Sequence, residues 1–349
     1  GRQAALFAGI PDTVPAYGVN MVCGSGMKTV MDAVSHIRSG DTEIVVAAGV
    51  EVMSQIPFAA PSSIRDGNKM GNLELKDLLV EDGLTDVYNQ YHMGVTAENV
   101  AKEIGLTRQQ QDEYALSSQQ KAVAAIEAGK FKDEIVPVEV KQRRETVLFD
   151  TDEYPKANAT MEALSKLRPA FDREGTVTAG NASGINDGAS AIIVASESAV
   201  KAHGLTPIAE IVSYAQSGLD PKIMGLGPVE SVNKALAKAE LTVNDIDVYE
   251  LNEAFAAQGL SVMKGLNIIE RICIANKKVS MVIDQPHGID VKIIGFDGFD
   301  IRSFGEDLFS IKNFRPRRFS HRRVRGNVST VELKSAKEAP TFSYLKGFC

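Results

Sequence analysis

The chain contains no tryptophan, only three cysteines, and no apolar run long enough to span a bilayer. Because the cysteines form no CxxC pair, neither a disulfide framework nor a structural zinc site is indicated, and a reducing cytoplasm is the expected location. The sequence opens without an initiator methionine or a secretory signal, so we expect it to begin inside a domain. The cysteine content and the absence of a long apolar run therefore argue against a disulfide-stapled protein and against a membrane-spanning segment in this sequence.

The composition is that of a globular enzyme. The 349 residues are 44% hydrophobic and 24% charged, which suffices for two domains or one large α/β domain. The net charge of −7 gives no indication of nucleic-acid binding, so neither a nucleic acid nor a membrane is an expected partner.

The charge is unevenly distributed along the chain. Residues 1–267 hold 23 Lys and Arg against 36 Asp and Glu, whereas residues 268–349 hold 15 against 9 and contain eight of the 14 phenylalanines. We interpret residues 267–349 as a non-matching tail, foreign or frame-shifted. Its basic run over residues 312–325 could bind an anionic surface, but an unstructured basic stretch is the preferred interpretation.

Apolar periodicity and turn residues predict an α/β fold. An extended segment over residues 14–22, a helix over 24–39 that ends at Gly40, and a buried strand over 43–49 indicate a unit of the parallel-sheet type. Further predicted elements are a long helix opened by a capping box at Thr107–Gln110 and closed by Gly129, a strand at 191–195, a helix capped by Ser196, a helix from Pro228 to about Ala239, a strand at 246–251 and a helix at 253–264.

Cys23 is the first candidate for chemistry. It lies between the extended segment and the helix, where free N–H groups and the helix dipole lower the pKa of a thiol from its free value of ~8.5. Gly24 and Gly26 allow a sharp turn and the approach of a bulky thioester, whose developing oxyanion the same N–H groups could stabilise. Two alternatives remain, a buried structural cysteine and a phosphate-binding loop, although the GxGxxG pattern lacks its third glycine.

Polar residues form further candidates. Asn252 follows a predicted strand, where ligands of α/β sheets bind, but it could equally be a helix cap. The run from Ala179 to Ala189 allows close backbone approach to a ligand or forms a surface loop. His92 stands beside Met93, and a lone histidine is more often structural. The turn at residues 224–228 needs no function beyond introducing a helix.

Taken together, these segments resemble the thiolase family. The motifs VCGSGMK, AGVEVMS, YHMGVTAENVA, TAGNASGINDGASA, MGLGPVESVNKAL and ELNEAFAAQ occur in family order over about residues 1–266. The resemblance implies a duplicated βαβ thiolase fold with an inserted loop domain, of which the N-terminal part is missing and the second half is truncated. It divides the chain into an incomplete N-terminal half at 1–52, a loop domain at 53–183, the rest of that half with the start of the C-terminal half at 184–266, and the tail.

The resemblance also implies an activity and a set of site residues. The expected reaction is the reversible Claisen condensation of two acetyl-CoA to acetoacetyl-CoA, in which Cys23 carries the acyl group and Asn252 holds a water near the enolate oxygen. Ser183 and His92 are then expected on the coenzyme A side and Met93 near the acyl group, and Met224 is expected to contact either the coenzyme A or the acyl part of the substrate. No metal and no cofactor beyond coenzyme A thioesters is expected, and family members are tetramers or dimers.

Two family segments are absent from the sequence. We find no GHPxG and no CxGGGxG, and His287, Cys273 and Cys349 stand in other contexts, so neither of those segments' roles is transferred to them. A protein of a different class is therefore an alternative, namely a catalytically inactive thiolase-like protein that binds acyl-CoA.

Overall fold

The structure, a computed structural model, describes residues 1–133, 135–143, 145–268, 280–284, 289–295 and 326–328. Its α-helices are α1 (Arg2–Phe7), α2 (Ser25–Ser39), α3 (Met93–Ile104), α4 (Arg108–Glu127), α5 (Met161–Ser165), α6 (Glu197–Ala202), α7 (Gly227–Lys238) and α8 (Ala256–Leu266). Its strands are β1 (Ile44–Val52), β2 (Phe58–Ala59), β3 (Lys76–Asp77), β4 (Thr85–Asp86), β5 (Tyr91–His92), β6 (Val138–Lys141), β7 (Thr146–Phe149), β8 (Asp187–Ala195), β9 (Ala209–Gln216), β10 (Glu250–Leu251), β11 (Ser280–Asp284), β12 (Ile289–Gly295) and β13 (Gly326–Val328).

Two larger sheets organise the fold. One has the strand order β1-β8-β13, and the other has the order β10-β11-β12-β9. Three two-stranded pairs, β2-β3, β4-β5 and β6-β7, lie in the part of the chain between β1 and β8. Because β1 and β8 are direct neighbours over nine paired residues, everything between them leaves the sheet and returns to it.

Helix α2 covers one face of the β1-β8 pair. Val34 on α2, Ala47 on β1 and Val194 on β8 form a buried apolar cluster with Ala33. The predicted α2 is confirmed, and Gly40 ends it in the left-handed conformation with φ of 80°. The fit is close, since a Cβ atom added to Gly49 would lie 3.1 Å from the Cα atom of Gly26.

Three predictions about this region are wrong. Strand β1 is not buried, because only Ala47 is fully covered while residues such as Val50, 68% exposed, lie on the open face. It is not part of a parallel unit, since β1 runs antiparallel to β8. Residues 14–20 form no strand; Pro15 and Gly18 interrupt the extended pattern, and Val22 turns the chain with φ of 48°.

The predicted helix caps are confirmed. Thr107 and Gln110 form the capping box of α4, Ser196 accepts a hydrogen bond from the Ala199 N–H at the start of α6, and Pro228 lies in the first turn of α7. The predicted strand at 191–195 is confirmed within the longer β8.

A second apolar core lies between α7 and α8. Val232 and Leu236 from α7 pack with Val262 and Met263 from α8 and with Ile246. Full burial of such a side chain contributes about 1.5–3 kcal/mol, so this cluster anchors the segment that follows α7. The strand predicted over 246–251 is wrong in extent, because only Glu250 and Leu251 of this range pair as a strand, β10.

Several predictions about residues 267–349 lie outside the described residues. They include the basic run at 312–325 and the positions of His287, Cys273 and Cys349. Within the described ranges, no helix combines the length and the apolarity that a membrane crossing requires.

Candidate active site

Cys23 is half-buried in a tight turn immediately before α2. Gly24 is the N-cap residue of that helix, so the thiol lies within one residue of the helix N-terminus, as predicted. The turn holds Val22 in the left-handed region, which β-branched residues rarely adopt and which stores about 1–3 kcal/mol of strain. The backbone in front of Cys23 is therefore bent sharply.

Side chains on both sides hold this turn. The Ser25 hydroxyl accepts a hydrogen bond from the Met21 N–H at 2.7 Å and donates one to the Val22 carbonyl, also at 2.7 Å. The Asn20 side-chain oxygen accepts from the Val22 N–H at 3.1 Å.

Two of the N–H groups expected to receive an oxyanion already donate hydrogen bonds within this turn. The Gly24 N–H donates to the Met21 carbonyl at 3.0 Å and the Ser25 N–H donates to the Val22 carbonyl at 3.1 Å. These two groups stabilise the turn itself, so the expectation that they receive a thioester oxyanion is wrong for this geometry. Gly26 serves the close packing of α2 on Gly49 of β1.

Asn252 lies in an irregular turn between β10 and α8. The N-cap of α8 is Phe255, so the alternative that Asn252 caps the helix is wrong, and the helix starts three residues later than predicted. The Asn252 side chain is half-buried and belongs to no regular element.

The Gly- and Asn-rich segment runs directly beside this turn. The Ser183 N–H donates to the Ala254 carbonyl at 2.9 Å, and Ala182 forms a bridge with Phe255. Two residues before Ser183, the side chain of buried Asn181 donates a hydrogen bond to a carboxylate oxygen of Asp112 on α4 at 2.9 Å. The segment is thus a fixed wall of the Asn252 turn, which excludes a plain surface loop.

His92 has a structural role that can be read from its hydrogen bond. Its ring Nδ1 accepts from the Gly94 N–H at 2.9 Å and caps α3, so the neutral ring carries its proton on Nε2. Burial lowers the pKa of His92 below 6.5, which favours this neutral form.

An aromatic column connects His92 to the Asn252 turn. The His92 ring stacks on Phe171 with centroids 4.6 Å apart, and Phe171 meets Phe255 edge-on at 6.2 Å. A Cβ atom at Gly94 would lie 2.2 Å from Phe171, so only glycine fits there. Sequence reasoning missed Phe171, because an aromatic residue in the irregular stretch Leu-Arg-Pro-Ala-Phe carries no periodic signal.

Met93 and Met224 lie on neighbouring elements. Met93 is the first residue of α3, and Met224 lies in the 3₁₀ helix Pro221–Leu226. The two elements are joined where the Asn99 side chain of α3 donates to the Lys222 carbonyl at 3.0 Å. Both methionines are half-buried.

Two carboxyl groups flank Asn252. Burial, and secondarily the charge of Glu253, raises the pKa of Glu250 well above 4.5. The Glu253 carboxylate instead accepts a hydrogen bond from the Ser118 hydroxyl at 2.6 Å. Burial, and next the charge of Glu253, also raises the pKa of Tyr114.

The contacts join the segments of four predicted site residues, and a fifth lies before a helix that packs on the β1-β8 pair. His92, with Met93 next to it in the chain, reaches the Asn252 turn through Phe171, and Ser183 reaches it through its N–H group. Cys23 is carried by α2, which packs on β1 and β8, and β8 begins only four residues after Ser183. Among the described residues, no group of three or more His, Cys, Asp or Glu could hold a metal ion.

The fold is α/β. A cysteine lies on a strained turn before a helix, and an asparagine lies on a turn after a strand. This combination is typical of enzymes that form a covalent intermediate on cysteine. Residues 1–198 match the thiolase N-terminal domain and residues 205–282 match the thiolase C-terminal domain. The chain therefore belongs to the thiolase family, and the family resemblance seen in its motifs is confirmed, together with the α/β fold class.

Named relatives agree with this assignment. The acetyl-CoA acetyltransferase of Cupriavidus necator is 58% identical over 262 residues, which cover 75% of this chain and 66% of the relative. The chain thus spans about two thirds of that relative's length. The crystal structure of the Bacillus anthracis acetyl-CoA acetyltransferase matches with a TM-score of 0.76 and 40% identity, covering 84% of this chain and 81% of the other. Human mitochondrial 3-ketoacyl-CoA thiolase in complex with CoA matches with a TM-score of 0.76 and 38% identity, covering 84% and 82%.

Proposed function

We propose that this chain transfers acyl groups between coenzyme A thioesters through an acyl-Cys23 intermediate. The observation that carries the proposal is the position of Cys23, half-buried on a strained turn at the N-terminus of α2, in a chain 58% identical to an acetyl-CoA acetyltransferase. In the first step the Cys23 thiolate attacks the thioester carbonyl. A new S–C bond forms, and coenzyme A leaves as a thiolate that takes up a proton.

The second step of the proposal is a Claisen condensation. A second acetyl-CoA loses a methyl proton, and its carbanion attacks the acyl-Cys23 carbonyl. The C–S bond to Cys23 breaks, which gives acetoacetyl-CoA, and in the net reaction the released Cys23 thiolate takes up the proton that the methyl group lost. Asn252 is the proposed holder of a water at the enolate oxygen. His92 and Ser183 are the proposed contacts of coenzyme A, Met93 is that of the acyl group, and Met224 contacts either the coenzyme A or the acyl part of the substrate.

A second candidate is a thiolase-like protein that binds acyl-CoA without condensing it. The sequence favours it because GHPxG and CxGGGxG are absent. A missing general base typically slows a reaction by ~10²–10⁴-fold. The two candidates share the Cys23 turn and differ in the formation of acetoacetyl-CoA.

The proposal extends to the setting of the protein. The proposed chemistry consumes and forms only coenzyme A thioesters and needs no metal or redox cofactor. We further propose a cytoplasmic location and assembly into a tetramer or a dimer.

The test is incubation with acetyl-CoA, followed by intact-mass measurement and a coenzyme A release assay. We expect one acetyl adduct on the wild-type chain and none on Cys23→Ser. Cys349→Ser is the matched control and should keep the adduct, because Cys349 has no part in the proposal.

The outcomes separate the two candidates. An adduct accompanied by acetoacetyl-CoA supports the complete reaction, and an adduct without it supports acyl binding alone. If no adduct forms on the wild-type chain, the proposal that Cys23 is the nucleophile is wrong.

A further inference from the structure

The turn that carries Asn252 has no regular element to fix it. Residues 252–255 lie between β10, which is only two residues long, and the first residue of α8. A side chain on such a segment keeps a defined direction only if neighbouring groups hold its backbone. The groups that hold this turn therefore decide where the Asn252 amide lies.

One side of the turn is held by α4. The Ser118 hydroxyl donates to the Glu253 carboxylate at 2.6 Å. The charge of Glu253 contributes to the raised pKa of Tyr114, so Glu253 also acts on this second side chain of α4. Tyr114 and Ser118 are four residues apart and therefore share one face of α4. The Tyr114 hydroxyl oxygen also lies so close to α8 that a Cβ atom at Gly259 would be 2.9 Å away.

The opposite side of the turn is held by the segment before β8. The Ser183 N–H donates to the Ala254 carbonyl, and the Ala256 N–H donates to the Asn181 carbonyl, both at 2.9 Å. Glu253 is thus held through its side chain, and Ala254 and Ala256 are held through their backbone groups.

The chemistry of the α4 contact favours a carboxylate as the acceptor. A carboxylate accepts the Ser118 hydroxyl proton at either oxygen, and hydrogen bonds to an ionised acceptor are roughly twice as strong as neutral ones. A glutamine at this position offers one oxygen only, and an alanine offers none.

We propose that Glu253 is a positioning residue, which α4 holds through Ser118 so that the neighbouring Asn252 amide is directed into the site. The role given to Asn252 rests on the proposed function. Through this contact, α4 determines where the Asn252 amide lies. In this proposal no side chain of α4 contacts the reacting atoms.

The first test observes Asn252 directly and needs no turnover. In protein labelled with ¹⁵N-asparagine, the Asn252 side-chain signal is assigned by its loss in Asn252→Asp. We expect Glu253→Ala and Ser118→Ala to shift or broaden this signal, while Glu253→Gln shifts it less. Glu113→Gln, an exposed change on the same helix, is the matched control and should leave it in place.

The second test separates positioning from a general loss of structure. At saturating acetoacetyl-CoA and coenzyme A, we expect Glu253→Ala to lower kcat by about 10- to 100-fold, as for a misplaced group. KM and the extent of Cys23 acetylation should stay within about twofold, and Glu253→Gln should recover part of kcat.

The proposal and the proposed function fail in different ways. An unmoved Asn252 signal in both Glu253→Ala and Ser118→Ala overturns the positioning role, whatever the activity. Absence of a Cys23 adduct on the wild-type chain overturns the proposed function and leaves the signal test valid. If Glu253→Ala does not fold, Ser118→Ala removes the donor from α4 and decides the question.

Discussion

Ser25 shows how one side chain can control a reactive neighbour without taking part in its chemistry. Its hydroxyl is bonded to the backbone of Met21 and of Val22, the residue with φ of 48°. A conformation of this kind persists only where its surroundings enforce it. Ser25 therefore helps to keep the Cys23 thiol at the start of α2.

Replacement of Ser25 by alanine should relax the turn. We expect Ser25→Ala to lose about 1 kcal/mol of unfolding free energy for each of the two hydrogen bonds. It should also slow alkylation of Cys23 near neutral pH, because the thiol moves away from the helix N-terminus. The measurement is urea unfolding together with the rate of iodoacetamide labelling of the Cys23 peptide as a function of pH.

A matched change at the other end of α2 controls this experiment. Ser39 also uses its hydroxyl locally, toward the carboxylate of Asp41, but it lies far along the helix from the thiol. Ser39→Ala should leave labelling of Cys23 unchanged. Equal labelling rates in Ser25→Ala and the wild type would contradict the role given to Ser25.

At the scale of elements, α3 begins on a residue that can gain a proton. His92 caps the helix through Nδ1, and protonation would convert this acceptor into a donor. Because burial lowers the pKa of His92 in the folded chain below its unfolded value of 6.5, protons bind preferentially to the unfolded chain. The contribution of His92 to stability is therefore complete above pH 6.5 and declines as the pH falls through the folded pKa.

His92→Asn should remove this part of the pH dependence. Asparagine is a good N-cap that still accepts from the Gly94 N–H and does not titrate. Between about pH 7 and pH 5, we expect the unfolding free energy of the variant to fall less steeply than that of the wild type. Urea unfolding at several pH values measures both slopes, and identical slopes would show that His92 does not contribute.

The elements that the sequence predicts well are those whose signals are local. The caps at Thr107 and Ser196 and the glycine at the end of α2 are decided within a few residues, and all are present. The burial and pairing of β1 could not be predicted, because they depend on β8, which is distant in sequence.

The candidate site likewise contains some residues that local sequence signals predict and others that they do not. Cys23 and Asn252 were found from motifs and turn positions, whereas Phe171 and the Ser118 contact to Glu253 arise from packing between distant segments. The boundaries of the inserted domain at 53–183 stay a prediction.

For the whole molecule, one buried carboxyl group links stability to pH in the opposite direction from His92. Burial, and next the charge of Glu253, raises the pKa of Glu250 in the folded chain above its reference value of 4.5. The folded chain therefore binds the additional proton, so the contribution of Glu250 to stability is complete below pH 4.5 and is lost as the pH rises through the folded pKa of this group.

Glu250→Gln should stabilise the protein increasingly toward alkaline pH. The amide keeps the shape of the protonated side chain and never carries the buried charge. We expect the gain in Tm over the wild type to be larger at about pH 8 than at about pH 5. Scanning calorimetry of both proteins at each pH gives the comparison, with exposed Glu113→Gln as the control. A gain that does not change with pH would contradict the assignment.

The antiparallel pairing of β1 with β8 has a consequence for the order in which the chain folds. Ser54, just after β1, is hydrogen-bonded to Asp187 at the start of β8, and the two residues are 133 positions apart in the sequence. Contacts of such separation close a long loop and form slowly, because the chain must lose entropy before they stabilise it. During synthesis, the sheet on which the Cys23 helix rests therefore cannot form until the ribosome has made everything up to β8. β1 is thus translated early but acquires its native pairing only after β8 has been made.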